Sequence, residues 1–417
     1  MIDNREKHKC CGCTACYSIC PQNAIKMEFD EEGFLYPVVN KKNCKHCGLC
    51  EKVCPYTVLT KEENCSTCVA IQNKNDNRRN ISTAGGAFSL IADYILQHNG
   101  IVYAVGYSEM VVCHKKCTEQ DQLRELCGSK YVQSTLNETF KEIKTHLKIG
   151  KFVLFVGTPC QAHGLKRYIG ESPNLIIIDL LCLGTSSPGL FSKWIDYLNQ
   201  KYDSKVSYVR FRDKSYGYAV PNIRVQFSNG KIIEQSYDAK VHSNMFFKHF
   251  YDVRPSCYQC VYREKPRVSD FTIGDCVNIG QFNKTMDDNK GTTRMWIHTE
   301  RGMQIFKELT FQMRVTSIIN TCNNICGGGG NQIPLPPDRR EFFNDSIRLS
   351  YAQLIKLYEP NSLKKMGINM FRRIINHLPR VISTHISKGL RLKQAKRSDM
   401  RVELATRVQK EMKNEFD

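Results

Sequence analysis

The sequence predicts an α+β/α/β chain: a small module built on cysteines, a mixed α/β domain behind it, and a basic helical C-terminal tail. Three observations predict this. Between residues 10 and 55 two groups of cysteines recur at one spacing, each ending in Cys-Pro. From residue 87 to 200, apolar runs of strand length alternate with stretches of helical apolar spacing. From residue 364 to 397 there are ten Lys or Arg and no acid. The chain therefore divides into a module at 1–60, a linker at 61–80, an α/β region at 81–165, a further region at 166–330 and a tail at 331–417.

The module carries the strongest signal. Cys10, Cys13, Cys16 and Cys20-Pro21 follow C-x2-C-x2-C-x3-C-P, and Cys44, Cys47, Cys50 and Cys54-Pro55 repeat it. That run holds [4Fe–4S] clusters in bacterial ferredoxins, three thiolates on one cubane and the fourth on the other. The spacing assigns Cys10, Cys13, Cys16 and Cys54 to one cluster, and Cys44, Cys47, Cys50 and Cys20 to a second. Zinc also takes C-x2-C pairs, but it closes with four ligands and this run is not a usual zinc spacing. Residues 24–29 and 34–39 flank a turn at 30–33 and predict a hairpin. Cys11 falls outside the spacing. Cys65 and Cys68 form an isolated C-x2-C that reads as unligated thiols before a metal site. The polar run 72–80 reads as linker.

Ser82, Thr83, Gly85 and Gly86 precede a helix at 87–96 that Gly100 stops. Hydroxyls and paired glycines ahead of a helix let backbone N–H groups approach an anion; an ordinary capped helix is the other reading. Strands at 101–107, 151–157 and 175–181, with helices at 139–147 and 161–169, predict βαβ units and a parallel sheet. Cys160 and Cys182 fall just past two of those strands, where open α/β sheets bind ligands. A helix at 187–200 leads to a strand at 206–212. Ile223, Val225 and Phe227 alternate, and Asn229-Gly230 turns the chain into 231–235. A helix at 246–251 and strands at 270–275 and 293–299 follow. Glycines at 327 to 330 and prolines at 334, 336 and 337 mark a boundary. In the tail, Met366, Met370, Phe371, Ile374, Ile375 and Leu378 keep helical spacing until Pro379. Such a helix fits an anionic membrane surface, a partner, or its own domain.

The charged N-terminus reaches its first cysteines within ten residues, so no signal peptide is expected, and no apolar run is long enough to span a bilayer. Twenty-one cysteines at cluster spacing point to a reducing cytoplasm rather than a secreted disulfide scaffold. The net charge of +19 suits nucleic acid, an anionic membrane or an acidic partner. Aromatic residues are not interleaved with the basic tail for base stacking, so nucleic acid is not expected. Cys160, Cys182, Cys257 and Cys260 read either as a third [4Fe–4S] site or as two buried cysteines and a zinc-like pair.

Five motifs in order resemble the coenzyme F420 hydrogenase/dehydrogenase beta-subunit family. They are Ser82-Thr83-Ala84-Gly85-Gly86-Ala87-Phe88, Gly128-Ser129-Lys130-Tyr131-Val132-Gln133-Ser134, Gly157-Thr158-Pro159-Cys160-Gln161, Asp179-Leu180-Leu181-Cys182-Leu183-Gly184, and Arg254-Pro255-Ser256-Cys257 with Gly274-Asp275. The resemblance covers residues 65–310, and 1–310 with the two-cluster module common in that family. It implies FAD beside the iron–sulfur clusters, in a flavin-binding α/β domain. Ser82, Thr83, Gly85 and Gly86 would contact the FAD phosphates. Gly128, Ser129, Lys130 and Tyr131 would line the isoalloxazine, with Lys130 the catalytic residue that stabilises charge on the reduced ring. Gly157, Thr158 and Gln161 would close the pocket beside the cluster at Cys160. The implied function is a cytoplasmic FAD-dependent oxidoreductase that passes electrons from ferredoxin-type clusters to coenzyme F420 or an organic substrate. Its partner would be an electron donor or acceptor protein. Some members are encoded with enzymes of surface-polysaccharide synthesis. The alternative is a non-catalytic electron-transfer subunit of a larger redox complex. Contact through 364–397 would set the protein at the inner membrane face. The chain departs from the family pattern at Cys127, where arginine is expected, and at Cys276-Val277, where an aromatic-glycine pair is expected.

Overall fold

Runs of branched apolar residues, bounded by glycine, proline or polar turns, set the strands. The computed structural model describes residues 2, 5–57, 67–220, 222–263, 267–318 and 332–360. In the module, β1 (Ile25–Phe29) pairs antiparallel with β2 (Leu35–Val39), Ile25 opposite Val39. Asp30 Oδ1 closes their turn by accepting from the Glu32 and Phe34 amides.

The next strands are β3 (Thr67–Asn73), β4 (Ile101–Ser108), β5 (Val111–Cys117), β6 (Val153–Gly157) and β7 (Leu175–Leu180). After them come β8 (Val206–Asp213), β9 (Asn222–Phe227), β10 (Ile232–Glu234), β11 (Phe271–Asp275), β12 (Thr293–Ile297) and β13 (Met313–Ser317). Eight of these form one mixed sheet in the order β13-β3-β12-β11-β7-β6-β4-β5. Its centre, β11-β7-β6-β4, is parallel, and both flanks are antiparallel. Every residue of β6 is buried, as a strand covered on both faces requires. Helices Ala87–Gln97 and Glu300–Leu309 cover one face, over Ile71, Leu154, Ile178 and Phe271. Helices Thr139–Lys148 and Pro159–Ile169 cover the other, over Tyr103, Phe155 and Ile177. Among the described residues no helix is long and apolar enough to cross a membrane.

A second core packs the three-stranded sheet β10-β9-β8 against helices Pro188–Tyr202, Tyr237–Phe247, Arg339–Arg348 and Tyr351–Tyr358, around Trp194, Val225, Met245 and Phe342. Several expectations change here. Residues 72–80 are not a linker: they end β3 and form helix Asp76–Ile81, which Asn75 caps. The polar side chains misled because they are satisfied internally; buried Gln72 donates to the Met286 carbonyl and to Thr292 Oγ1. The large sheet also takes strands from both sides of the boundary expected at 165/166. The helix expected at 246–251 lies earlier, at Tyr237–Phe247, started by Ser236 Oγ on the Ala239 amide. Its polar Asp238 hid it, since that carboxylate is held inside by Tyr197, Lys201 and Tyr202. Finally, the chain keeps packing past the boundary expected at 331, through Phe342, Phe343, Tyr351 and Leu354. The basic stretch 364–397 and Cys65 lie outside the described residues.

The module is locked to the rest through its 30–33 turn. Gly33 has φ +75°, and a methyl group on it would lie 2.7 Å from the Cα of Gly189. The Gly189 amide donates to the Gly33 carbonyl at 3.3 Å, and Ser187 Oγ donates to the Glu32 carbonyl at 2.6 Å. Arg339 forks onto the Glu32 carboxylate at 2.7 and 2.6 Å. Gly33→Ala is expected to destabilise by roughly 3 kcal/mol, adding overpacking to left-handed strain. Gly230→Ala, with φ +82° and open space around it, should cost only the strain of ~1–2 kcal/mol. Anaerobic thermal melts of the two variants compare them.

Candidate functional site

The cysteines of the module gather as the crossed spacing requires. Cys16 has Cys10, Cys54 and Cys50 as its charged neighbours, and Cys54 has Cys10 and Cys50. Cys20, Cys44, Cys50 and Cys54 share a small apolar cluster with Cys16, Ile25 and Val39. Cys47 is exposed. Burial, and repulsion from the neighbouring thiols, push the Cys16 thiol well up. Such sulfur ionises readily only when a cation takes up the charge. Among the described residues no three His, Cys, Asp or Glu converge on a single metal ion. A set of soft thiolates spread over several irons is the donor chemistry of an iron–sulfur cubane.

One helix carries the module to the rest of the chain. A methyl group on Gly164 would lie 2.7 Å from Cys13 Sγ, so this sulfur rests on bare helix backbone. Cys160 stands four residues earlier on the same helix, ~6 Å along its axis at 1.5 Å per residue. Cys11, which the spacing left unused, is buried and touches both Cys13 and Cys160.

Cys160 begins the wall of a cavity of ≈860 Å³. A Thr158 to Gln161 capping box starts helix Pro159–Ile169 and sets Cys160 in its first turn. Cys182, on the loop after β7, has Cys257, Cys160 and Cys260 as charged neighbours. The Gly184 amide donates to Cys182 Sγ at 3.4 Å, and Cys257 and Cys260 lie in and just after the short helix Pro255–Tyr258. Four thiolates from three parts of the chain thus meet in one wall. The set contains no carboxylate, and it fits a further cubane better than a hard cation.

The remaining walls bring the other motifs together. Ser82, Thr83, Gly86, Gly128, Ser129, Lys130, Tyr131, Gly157, Thr158 and Gln161 all line the cavity. Gly85 faces the sheet instead: a methyl group there would meet the Ile71 carbonyl oxygen at 2.2 Å and the Thr293 nitrogen at 2.5 Å. Its lack of a side chain serves packing. Thr83 Oγ1 accepts from the Ser129 amide at 2.8 Å, which ties two motifs together. Ser82 Oγ donates to the Arg78 carbonyl at 2.8 Å. Lys130 Nζ donates to the carbonyls of Val105 and Glu125 at 2.9 Å and of Cys127 at 3.2 Å. Its three protons anchor its own loop rather than face a ligand. At the two departures from the family pattern, Cys127 and Cys276 are both buried. Sequence reasoning missed Lys240, Asn244, Phe246 and Phe247 in the wall, because it placed their helix too late. It also gave Arg254 no role of its own.

Burial lowers Lys130 to about 8, against about 10.4 for free lysine. Between those values the unfolded chain holds the proton and the native chain does not, so stability rises as pH climbs through the window. Lys130→Met is expected to flatten that rise. Apparent melting temperatures of both proteins at about pH 7 and about pH 9.5 check it, and an unchanged slope in the variant would count against the assignment.

Comparison with known proteins agrees with this geometry. Residues 9–58 match the 4Fe-4S dicluster domain, and residues 150–318 match the family described as the C terminus of the coenzyme F420 hydrogenase/dehydrogenase beta subunit. The F-type subunit of the F(420)H(2) dehydrogenase of Methanosarcina mazei is 23% identical over 333 residues, covering 73% of this chain and 84% of that protein. The PorD subunit of the pyruvate synthase of Thermotoga maritima is 43% identical over 49 residues, 12% of this chain and 46% of PorD. One polypeptide of the solved F420-reducing [NiFe] hydrogenase complex from Methanosarcina barkeri aligns over 74% of this chain and 97% of its own length, at 14% identity and a TM-score of 0.43. With its cysteine-bearing cavity behind a dicluster module, the chain belongs to the coenzyme F420 hydrogenase/dehydrogenase beta-subunit family, as a member with an N-terminal ferredoxin-type domain.

Proposed function

We propose that this chain is an iron–sulfur flavoprotein that moves electrons from its dicluster module, through a third cluster, to an acceptor in the cavity. The carrying observation is that Cys13 and Cys160 stand one turn apart on a single helix. Cys44, Cys47, Cys50 and Cys20 would hold the outer cluster. Cys10, Cys13, Cys16 and Cys54 would hold the inner one, and Cys160, Cys182, Cys257 and Cys260 the third. FAD bound in the cavity would supply the conversion between single electrons and hydride. A volume of ≈860 Å³ is ample for a ligand of that class. Thr83 and Ser129 hold the two glycine-bearing turns in register beside it. Tyr131 packs edge-on against Phe247 at 4.6 Å and Phe211 at 5.8 Å, giving that side a stiff aromatic wall that excludes water. The acceptor would be coenzyme F420 or an organic substrate, a precursor in surface-polysaccharide synthesis being one class.

Cys47 is exposed on a loop with exposed Lys41, Lys42 and Lys45. This suits docking of an acidic one-electron carrier, steered by charge. A second reading, a non-catalytic electron-transfer subunit, is favoured by the name of the Methanosarcina mazei relative, which is itself one part of a dehydrogenase. In that reading the same path serves a partner that holds the substrate.

Protein purified anaerobically is expected to carry about twelve irons and to bind FAD, and Cys160→Ser with Cys257→Ser should leave about eight irons. A wild type with only about eight irons removes the third cluster. Full iron with no affinity for FAD removes the flavoprotein reading and leaves the second. Replacing Lys41, Lys42 and Lys45 by Glu should slow reduction by an acidic ferredoxin by about tenfold at low salt, with little effect at high salt. Stopped-flow reduction with a small viologen, which needs no docking, should be unchanged.

A further inference from the structure

Arg254 is 1% exposed, and its side chain points away from the cavity domain that carries it, into the module. Nε donates to the Cys10 carbonyl at 2.9 Å. Nη1 donates to Gln133 Oε1 at 2.7 Å, and Nη2 to the Leu35 carbonyl at 3.0 Å. Nη2 also lies 3.8 Å from Cys10 Sγ. The Tyr36 ring covers the guanidinium at 4.2 Å. Gln133 in turn donates to the Cys11 carbonyl at 2.9 Å. Gly12 makes this approach feasible, since a methyl group there would lie 2.8 Å from Gln133 Nε2 and 3.1 Å from Arg254 Nη1. The backbone of the same residue reaches the third group of cysteines, its carbonyl accepting from the Cys257 amide at 2.9 Å.

What this arginine lacks is a carboxylate. The comparable buried guanidiniums each face one: Arg79 faces Asp288 at 2.7 Å, Arg339 faces Glu32 at 2.6 Å, and Arg267 faces Asp179 at 3.7 Å. Among the described residues Arg254 has no such ion pair. A buried charge without a counter-charge is strongly unfavourable. The groups near Arg254 that can carry negative charge are Cys10, Cys11, Cys257 and the Tyr36 phenol, and the tyrosine stays neutral because burial pushes its pKa up. Taking one electron adds one negative charge to a cluster, and a fixed cation beside it favours that state.

We propose that Arg254 is the fixed counter-charge of the cluster held by Cys10, Cys13, Cys16 and Cys54, raising its reduction potential and clamping the module against the cavity domain. The inference rests on the cluster assignment proposed above. Arg254 is a positioning residue in this role, and its side chain touches the shell of one cluster while its backbone touches that of the next.

The test is a redox titration followed by electron paramagnetic resonance on the full chain, with iron and sulfide counted in each sample. Arg254→Gln is expected to keep its iron and to lower the reduction equilibrium of the inner cluster at least tenfold, about 59 mV for one electron. The outer cluster should move by less than half of that. Arg254→Lys keeps the charge and loses the fork. It should restore at least half of the shift, while amide exchange at residues 10–12 and 33–36 rises at least tenfold. Unchanged potentials in a fully loaded Arg254→Gln overturn the proposal, as does an equal shift of every cluster. Should Arg254→Gln fail to load, Arg254→Lys decides: a tenfold fall despite the retained charge overturns the counter-charge, and unchanged exchange overturns the clamp. A wild type with no cubane signals instead defeats the cluster assignment itself.

Discussion

The contact of Cys13 with the bare backbone of Gly164 is the constraint on which the electron path depends. Electron transfer falls steeply with distance, so the module must be held in one place rather than merely tethered. The helix under that contact cannot shift. Its start is fixed by Pro159 and the Thr158 to Gln161 box, and Ala162 and Leu165 are fully buried against the sheet. The module is pinned at several other points, by Gly33 on Gly189, by Arg339 on Glu32, by Arg167 on the Lys52 carbonyl and by Tyr17 on Glu138. These clamps come from well-separated parts of the chain. Rocking of the module about any one of them is opposed by the rest.

Much of the fold was legible because its strands obey local rules. The runs at β6 and β7 are unbroken apolar stretches, as buried parallel strands must be, and Asn229-Gly230 marks the β9–β10 hairpin. The failures share one cause. Gln72, Asn75 and Asp238 are polar residues that spend their hydrogen bonds inside the protein. Periodicity and composition price such residues as solvent-exposed, so a strand and two helices were missed or misplaced. Only their tertiary partners, some more than two hundred residues away, reveal that the polarity is satisfied.

The candidate site was legible in its residues and much less so in their roles. Paired glycines can admit a ligand or another backbone, and the sequence cannot say which. Here Gly86 takes the first role and Gly85 the second, its Cα lying against β3 and β12. A lysine beside a serine and a tyrosine suggests a charge offered to a ligand, yet Lys130 gives all its protons to carbonyls of its surroundings. Cys11 shows the reverse. Spacing excluded it as a ligand and so passed over its position between two ligand groups, where a small polarisable sulfur fills the gap.

Charge joins these observations. The net +19 reads from the sequence as one number, but it divides into two physically different parts. Lysines around Cys47 lie in water, where they cost little and are screened within about 10 Å. Arg254 lies where no water reaches it, and its unpaired charge must be met by something anionic. The interior around it offers sulfur, and buried sulfur carries charge only when metal holds it so. Loading of the clusters and docking of the module are then one process: the ligation that ionises Cys10 also supplies the anion that lets Arg254 stay buried, and the energy of binding iron becomes energy that holds the two halves of the path together.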